Sequence, residues 1–581
     1  MPSDASSAGY GTLVMLMLLI GASVWLGTVA QRVVERGSFV KGYFLGNRGL
    51  GAWALALTAT VQSGGTFMGF PSLVYTHGWI VALWIAGYMV VPITGFGVLG
   101  KRLAQLSRRT GAITVPDLFR ERFASPAVGL TAMLFILLYM SFMMVAQFKA
   151  GALIMKVSWP GSGALALTED AGGGYDRYYY IGLSIFAATV VGYTLIGGFL
   201  AAVWTDLFQS IMMFFGVVML FVLALRATGG IENATRGAVD QLNRLEPKLR
   251  AAAERQVDDA VAKGAISESE AERRREAARG RNLDGDAYAL GPGFAPDGRT
   301  FLPLGLAFSF FFTWVYAGMG SPASIVRVMA SKSTEHIRRS IFLLNSYNAM
   351  IYVPLVVICI CGRSLIPDLP AGKTDEVIPR LTVKLTEPLP AGSLLAGLVL
   401  TAPFGAVMAT VSGYLVVIAS ALVRDVYQRF VRPDASATEI RRLTYVIMIV
   451  VGLIAFAANL KPVAYLQAIV VFSGSGGAST FVVPALMAAY WRRATTAGTL
   501  AAMIAGGGTL IGLYVTGFVL PGYDPLIGQV TKFRPYFLLG LDPIVWGLSA
   551  SLVAGIAVSL ITSPPRAEHI SRLFDAQLAS A

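Results

Sequence analysis

Two apolar segments of this 581-residue chain are interrupted in their middles by glycine, proline and hydroxyl residues, which can free backbone oxygens for ligand binding. The first interruption is ATVQSGGTFMGFP at 59–71, and the second is TWVYAGMGSP at 313–322. In hydrocarbon every backbone N–H and C=O needs a partner, so a broken helix survives only beside other protein or a water-filled cavity. Paired interruptions of this kind predict the binding site of a secondary transporter.

Oxygen atoms at the first interruption would suit a sodium ion, because hard cations prefer oxygen ligands. Residues 59–63 lead into Gly64 and Gly65, where an unwound helix would expose carbonyl groups. A candidate partner is the stretch APFGAVMATVSGYLVVIAS at 402–420, in which Thr410 supplies a hydroxyl and Ala406 lies one turn earlier. Small residues also let two helices approach closely. The residue spacing alone does not decide between an ion site and close packing of the two helices.

Two ionisable residues lie in or beside apolar runs. Asp206 falls at the predicted start of the sixth run, where it could cap a helix or lie on an ion path. Lys149 lies a turn or two from the predicted outer end of the fourth run. We favour the interpretation that Lys149 snorkels to the membrane interface. A Lys149 that faced the cavity would instead pair with a substrate carboxylate.

Further polar and aromatic residues could line a solute pocket between the two interruptions, although each could also be a packing residue. With Lys149, these predicted substrate-binding residues are Ser63, Thr66, Gln147, Thr313, Trp314 and Tyr316. The three histidines are far apart and have no ligand spacing. We therefore expect no metal other than sodium, no cofactor, no catalytic residues and no enzymatic activity.

The elements that must position these residues are membrane-spanning helices. The chain is 55% hydrophobic and 14% charged, which is more apolar surface than a water-facing fold can hide. About thirteen apolar runs reach the roughly 20 residues that a helix needs to cross hydrocarbon. They lie at 11–30, 50–75, 79–100, 127–156, 178–197, 203–226, 301–327, 341–362, 391–423, 443–460, 463–490, 497–519 and 542–562. We predict an all-α, multi-pass protein of the cell (plasma or inner) membrane.

The net charge of +13 follows the positive-inside rule and gives no reason to expect nucleic acid. Basic residues concentrate in short loops that lie inside if the N-terminus is outside and the C-terminus cytoplasmic. The Arg-rich segment at about 226–299 is then extracytoplasmic, which is acceptable because long loops are translocated largely regardless of their charge. Its alanines and mixed charges predict solvated helix that acts as a linker, with a regulatory or partner-binding role as the alternative.

The two interruptions stand at matching places of two sets of five spans, which predicts an inverted repeat. The predicted organisation is a first span and cytoplasmic loop at 1–49, a first repeat at 50–228 and an extracytoplasmic loop at 229–300. A second repeat follows at 301–490, and the last two spans and a cytoplasmic tail occupy 491–581.

Four stretches resemble successive signatures of the sodium:solute symporter family. They are YFLGNRGLGAWALALTATVQSGGTFMGFPSLVY, GKRLAQLSRRTGAITVPDLFRERF, GGFLAAVWTDLFQS and APFGAVMATVSGYLVVIASALVRDVY. The ENA stretch at 232–234 and the IPDL stretch at 366–369 are most similar to sodium/pantothenate symporters within that family. The resemblance covers almost the whole chain and implies a leucine-transporter-like fold with a 5+5 inverted repeat.

The resemblance also implies a sodium site, formed by the carbonyls of Ala59, Gln62 and Ala406, the hydroxyl of Thr410 and the position of Ala409. The sequence departs from the family there, because Ala409 has no hydroxyl where a serine is usual. Ser412 or a water could fill the gap. For Asp206 the resemblance implies a role on the cytoplasmic exit route of sodium.

The expected function is sodium-coupled import of a small organic solute by alternating access. A carboxylate such as pantothenate or a short monocarboxylate is the favoured solute, with amino acids and sugars open. A proton-coupled or uncoupled carrier is the alternative that Ala409 raises. A transporter-like membrane sensor is a further one, which the short tail after Ile561 argues against. The expected partners are the solute, sodium and the lipid bilayer, and the oligomeric state is not predicted.

Overall fold

A computed structural model describes most of the chain. Residues 1–8, 35–42, 59–62, 162–176, 263–266, 269–270, 273–287, 290–303, 368, 370, 463–465, 521–532 and 576–581 lie outside the described part. Within the described residues the regular structure is helical, apart from an isolated parallel bridge between Leu50 and Ser331. This confirms the predicted all-α class.

The described helices of the first half run from the N-terminal region to the long polar segment. They are α1 (Tyr10–Val34), α2 (Ala52–Thr58), α3 (Phe70–His77), α4 (Leu83–Val91), α5 (Lys101–Thr110), α6 (Val115–Phe123), α7 (Pro126–Ser158), α8 (Arg177–Thr228) and α9 (Ile231–Ala262). Helix α8 holds two spans, because Gly198 has φ +59° and ψ −143° and kinks the chain between them. Only glycine adopts such a conformation without strain.

The second half begins with another broken pair and ends in a short helix. Its described helices are α10 (Leu304–Gly320), α11 (Pro322–Met329), α12 (Thr334–Leu365), α13 (Val377–Thr386), α14 (Gly392–Ser420), α15 (Ala437–Ala458), α16 (Leu466–Tyr490), α17 (Thr496–Val519), α18 (Pro543–Ile561) and α19 (Ala567–Phe574). A π-helical segment, Ala421–Val431, extends α14, and a 3-10 turn, Ala371–Glu376, leads into α13.

Eleven described stretches are long and apolar enough to cross a membrane, compared with about thirteen predicted. The two counts differ at the broken segments. At the first broken segment, α2 is too short to span a membrane, and the chain after the break continues as one long stretch, Gly65–Thr110. The second broken segment is divided into α10 and α11, and neither is counted as a span. The protein is therefore a multi-pass membrane protein, whereas the number of crossings, the repeat boundaries and the side on which each terminus lies stay predictions.

Helices α14 and α16 form the centre of the molecule. In their most apolar windows 78% and 83% of the residues are buried, compared with 28% in α1, α15 and α18. Helix α14 packs on α1, α7 and α8, and α16 packs on α7, α10 and α17. Because lipid covers the outer helices, polar groups on α14 and α16 must be satisfied by protein, water or a ligand.

The polar segment after α8 is helical as predicted, but its first half is not solvated on all sides. Ala234, Ala238 and Leu242 of α9 are buried against the end of α12, and Thr235 accepts a hydrogen bond from the Trp79 indole at 3.1 Å. Small residues at this helical spacing let α9 lie close to the membrane domain. Most of the predicted loop beyond Ala262 lies outside the described residues.

Candidate functional site

The first interruption is a true break in the helix. Helix α2 ends at Thr58, and a π-helical turn at Gly65–Gly69 leads into α3. The N–H of Gly64 donates to Gln147 Oε1 of α7 at 2.6 Å. A Cβ on Gly64 would lie 2.6 Å from the Ala150 Cβ, so only glycine lets α7 approach this closely.

Two hydroxyl side chains satisfy the other freed amides. The N–H of Ser63 donates to Thr66 Oγ1 at 3.2 Å, and the N–H of Gly65 donates to Ser63 Oγ at 3.1 Å. With Gln147 they form a polar lining that holds the broken backbone in one conformation. The predicted residues Ser63, Thr66 and Gln147 are thus brought together at the break, and all are buried.

The predicted partner helix lies beside this break. A Cβ on Gly64 would lie 3.5 Å from Cγ2 of Val407, which neighbours Ala406 on α14. The Thr410 hydroxyl donates to the Ala406 carbonyl at 3.0 Å, so these two predicted sodium ligands present adjacent oxygens. Two other predicted ligands, Ala59 and Gln62, lie outside the described residues.

The position of Ala409 has no side-chain oxygen to offer. The nearby Ser412 hydroxyl donates to the Ala409 carbonyl at 3.0 Å. Tyr193 of α8 donates to the Met408 carbonyl at 3.0 Å, so this part of α14 contacts α8. Whether Ser412 fills the gap at Ala409 stays a prediction.

The second interruption is also a break, where α10 ends at Gly320 and α11 begins at Pro322. Ser321 between them is extended, with φ −69° and ψ +118°, and accepts a hydrogen bond from the Ser324 N–H. A Cβ on Gly320 would lie 2.7 Å from Cα of Ala478 on α16. The break therefore lies directly against the glycine- and serine-rich part of α16.

An aromatic column runs from the first break to α10, the helix that precedes the second break. Thr66 at the first break hydrogen-bonds with the Tyr352 hydroxyl at 3.0 Å. The Tyr352 ring stacks on Tyr88 at 4.1 Å, and Tyr88 stacks on Trp314 of α10 at 4.8 Å. We call Tyr352, Tyr88 and Trp314 the aromatic column. Tyr88 and Tyr352 were not predicted as site residues, because nothing in their spacing shows which spans are neighbours.

The predicted residues on α10 are not equivalent. Trp314 is 3% exposed, and its indole N–H finds no acceptor in the described part of the chain. Thr313 donates back to the Ser309 carbonyl at 3.0 Å. Tyr316 stacks on Phe312 at 5.5 Å, away from the aromatic column, since residues two apart point to different sides of a helix. Trp314 is thus the one of these three that belongs to the aromatic column.

Lys149 does not snorkel, and that interpretation is wrong. Its side chain is 2% exposed, and its ammonium group donates to Asp375 Oδ2 at 2.8 Å, with both partners buried. The Asp375 carboxylate gives the buried ammonium a partner of opposite charge, which a buried charge requires. The role of Lys149 as a substrate counter-ion stays a prediction, which must now account for Asp375.

The turn that carries Asp375, here called the 371–376 turn, contacts three helices. Thr374 hydrogen-bonds with Ser72 of α3 at 2.6 Å. Asp375 Oδ2 also accepts from the Leu466 N–H at the start of α16, at 3.2 Å. Together with the Lys149 pair on α7, these contacts close one end of the space around the first break. This turn was not predicted from the sequence, although the acidic TDE stretch at 374–376 was a possible signal.

Asp206 is not a helix cap. It lies about two turns after the kink at Gly198, inside α8, and its Oδ2 accepts from Arg327 of α11 at 2.8 Å. Both residues are at least nine-tenths buried, and Gly413 of α14 leaves space for the guanidinium. The capping hypothesis is wrong because the helix starts earlier than its sequence indicated. Whether Asp206 lies on an ion path stays a prediction.

A second polar network lies where α6 meets the π-helical end of α14. The Thr114 hydroxyl donates to both carboxylate oxygens of Asp425 at 2.8 Å, and Asp117 pairs with Arg429. Nearby, the buried Arg122 donates to the Ala488 carbonyl at 3.1 Å. Burial lowers the pKa of Arg122 to about 10. These contacts tie the predicted cytoplasmic ends of α14 and α16 to α6.

Comparisons with known proteins agree with this architecture. A model of the sodium:solute symporter family matches residues 43–506. The sodium/pantothenate symporter of Haemophilus influenzae is 28% identical over 539 residues, which is 91% of this chain and 96% of that protein. The sodium/proline symporter of Escherichia coli is 25% identical over 551 residues, covering 91% of this chain and 93% of that protein. The family resemblance is confirmed.

A solved structure supports the fold. It is the substrate-bound, outward-open state of a sodium-coupled sialic acid symporter, which matches 96% of this chain and all of its own with a TM-score of 0.64. The sequence identity is 18%, so this likeness concerns the fold alone. It confirms the leucine-transporter-like fold class.

Proposed function

We propose, since the chain belongs to the sodium:solute symporter family, that it is a sodium-coupled secondary active symporter for a small organic solute. The observation that carries the proposal is the pair of broken helices joined by the aromatic column through Thr66 and Trp314. Backbone groups at such breaks are available to an ion and a solute without loss of helical bonds elsewhere. The chain then transports its solute unchanged and is not an enzyme.

Sodium is proposed to bind between the first break and α14. Its ligands would be the carbonyls of Ala59, Gln62 and Ala406 and the hydroxyl of Thr410, with the position of Ala409 beside them. The adjacent oxygens of Thr410 and Ala406, 3.0 Å apart, support this assignment. Because one ligand is absent at Ala409, we expect weak sodium binding.

The solute is proposed to be a carboxylate. Pantothenate and proline, after which the two relatives are named, both carry a carboxylate. Lys149 is a buried cation on α7, two residues after Gln147 and adjacent to Ala150, and both of these residues contact Gly64. Asp375 pairs with it at 2.8 Å in the present conformation. We propose that the solute carboxylate replaces Asp375 when the 371–376 turn withdraws.

We propose that alternating access uses two sets of polar contacts, those of the 371–376 turn and those around Thr114 and Asp425. On the predicted topology the 371–376 turn is extracytoplasmic, and the Thr114–Asp425 contact is cytoplasmic. Opening one network while the other stays closed would expose the breaks to one side at a time. If sodium and solute bind at coupled sites, each strengthens the binding of the other by the same factor.

Binding to the purified protein tests the proposal. Radiolabelled pantothenate, short monocarboxylates, proline and sugars are screened in sodium and in choline, and the transported solute is expected to be a carboxylate that binds more tightly in sodium. Equal affinity in the two salts contradicts sodium coupling. Exclusive binding of an uncharged sugar contradicts the carboxylate assignment.

Ala409 favours one second candidate, a proton-coupled or uncoupled carrier with the same fold. Counterflow in liposomes with a pH gradient and without sodium distinguishes the two. Solute accumulation under these conditions would support proton coupling, and accumulation only with a sodium gradient would exclude it.

A further inference from the structure

The short helix α19 is held against the membrane domain along one face. Ile570 and Leu573 are buried, whereas Glu568 and Arg572 are exposed. Residues three apart share one side of a helix, so the two apolar side chains form a single contact face. Helix α19 has eight residues, and helices shorter than about 12 residues are marginal in water by themselves. Its contacts with the rest of the protein therefore stabilise it.

One end of α19 is fixed by two arginines from different elements. The ring of Phe574 lies 5.1 Å from the guanidinium carbon of Arg122 and 5.5 Å from that of Arg492. Asp575 pairs with Arg492, whose Nη1 donates to Asp575 Oδ2 at 3.2 Å. His569 Nε2 donates to the Arg122 carbonyl at 3.1 Å. Helix α19 thus contacts α6 and the loop between α16 and α17.

A separate contact joins α19 to α5. Arg109, near the end of α5, donates to the Leu573 carbonyl. Helix α5 packs on α11, the helix that follows the second break. A Cβ on Gly100, the residue before α5, would lie 3.1 Å from Cγ1 of Val328 in α11. Helices α5 and α11 are therefore closely packed, and we call them the α5–α11 unit.

The other contacts of α19 belong to a second group of helices, α6, α7 and α16. Arg122 of α6 donates to the Ala488 and Trp491 carbonyls at the end of α16, at 3.1 and 3.0 Å, and α6 packs on α7. The two groups meet where the Tyr490 hydroxyl donates to the Val98 carbonyl. Because the second break lies against α16, separation of the α5–α11 unit from α16 would open that break toward the predicted cytoplasmic side.

We propose that α19 is a latch that holds the α5–α11 unit against α6 and α16, and that it undocks before the second break opens toward the cytoplasm. A helix bonded to both groups stabilises only the arrangement in which they are together, so its release shifts the equilibrium toward separation. The latch controls a conformational step and does not touch the solute. This inference rests on the proposed alternating access.

Spin labels measure the latch in purified protein without any solute. One pair of labels, at Lys101→Cys of α5 and Ala497→Cys of α17, reports the distance between the two groups, because α17 packs on α16. A single label at Glu568→Cys reports whether α19 is docked. All three positions are exposed, and the native Cys359 and Cys361 are buried.

Two changes release the latch, and one control leaves it in place. Ending the chain after Pro565 removes α19 and should add a population with a longer distance between the paired labels. Phe574→Ala removes both arginine–ring contacts and should shift the docking equilibrium about tenfold, which raises the mobility of the label at 568. Arg572→Ala, on the exposed face of the same helix, should change neither readout.

The latch is overturned if the distance distribution is unchanged once α19 is removed or undocked, or if Arg572→Ala changes it as much as Phe574→Ala does. If the shortened chain does not fold, Leu573→Asp combined with Phe574→Ala undocks α19 in the full chain, because a buried unpaired charge is costly. Since neither solute nor a sodium gradient is used, failure of the latch is distinguished from failure of sodium-coupled transport.

Discussion

The pair between Lys149 and Asp375 makes a sharp prediction about conformation. The ammonium and carboxylate are 2.8 Å apart, and their side chains are 2% and 3% exposed. Removing one partner of a buried pair leaves an uncompensated charge, which costs about 3–5 kcal/mol. If the pair exists only while the 371–376 turn is in place, Asp375→Asn destabilises that conformation alone. The equilibrium should then shift toward the withdrawn turn by about 100-fold or more.

Alkylation of a cysteine placed under the turn measures this shift. Ser72 is fully buried and hydrogen-bonds with Thr374 at 2.6 Å, so Ser72→Cys reports whether the turn is in place. The native Cys359 and Cys361 are both buried and serve as the background. In detergent, Asp375→Asn should greatly increase the rate at which maleimide modifies Ser72→Cys.

Two comparisons keep this prediction specific. Glu335→Gln breaks the exposed Glu335–Arg339 pair, which is worth little, and should leave the rate unchanged. Replacing both partners, in Lys149→Met with Asp375→Leu, removes the unpaired charge and should restore slow alkylation. An unchanged rate in Asp375→Asn would refute the reasoning, because the buried pair would then not hold the turn in place.

Three further predictions concern the first break, the sodium site and the pair on α8. Gly64→Ala places a Cβ 2.6 Å from the Ala150 Cβ and should abolish uptake while the protein still reaches the membrane; uptake at the wild-type rate would contradict the close approach of α7. Ala409→Ser adds the missing hydroxyl and should lower the sodium concentration that half-saturates solute binding severalfold, and no change would remove the sodium site from this position. Asp206→Asn leaves Arg327 buried without its carboxylate and should cost about 3–5 kcal/mol of unfolding free energy. Pairing it with Arg327→Met should recover most of that loss, and simple addition of the two effects would show that the residues do not interact.

Helical periodicity and span length were sufficient for much of the fold. The apolar runs predicted the helices because a segment in lipid must satisfy its own backbone. The same rule located both breaks, since glycine, proline and hydroxyl residues in a span need outside partners. It also separated the fifth and sixth runs between 197 and 203, where the structure has the kink at Gly198.

Side-chain pairing was not predictable in the same way. Lys149 and Asp375 are 226 residues apart, and Asp206 and Arg327 are 121 residues apart. Each residue was judged from the sequence around it, whereas its partner lies on a distant element, and the sequence does not specify which elements are neighbours. The two wrong hypotheses, snorkelling of Lys149 and capping by Asp206, explained each charge from nearby residues. Each charge is in fact paired with a residue far away in the sequence.

By itself the sequence determined the class of protein, the helical elements, the two breaks and the family signatures, because each depends on residues close together in the chain. The tertiary structure alone decided which groups meet. It placed Thr66 on Tyr352, Lys149 on Asp375 and Gln467 against Gly69. The reason is physical: hydrophobicity drives a span into lipid without specifying its neighbours, whereas close packing and hydrogen bonding between spans depend on all of them at once.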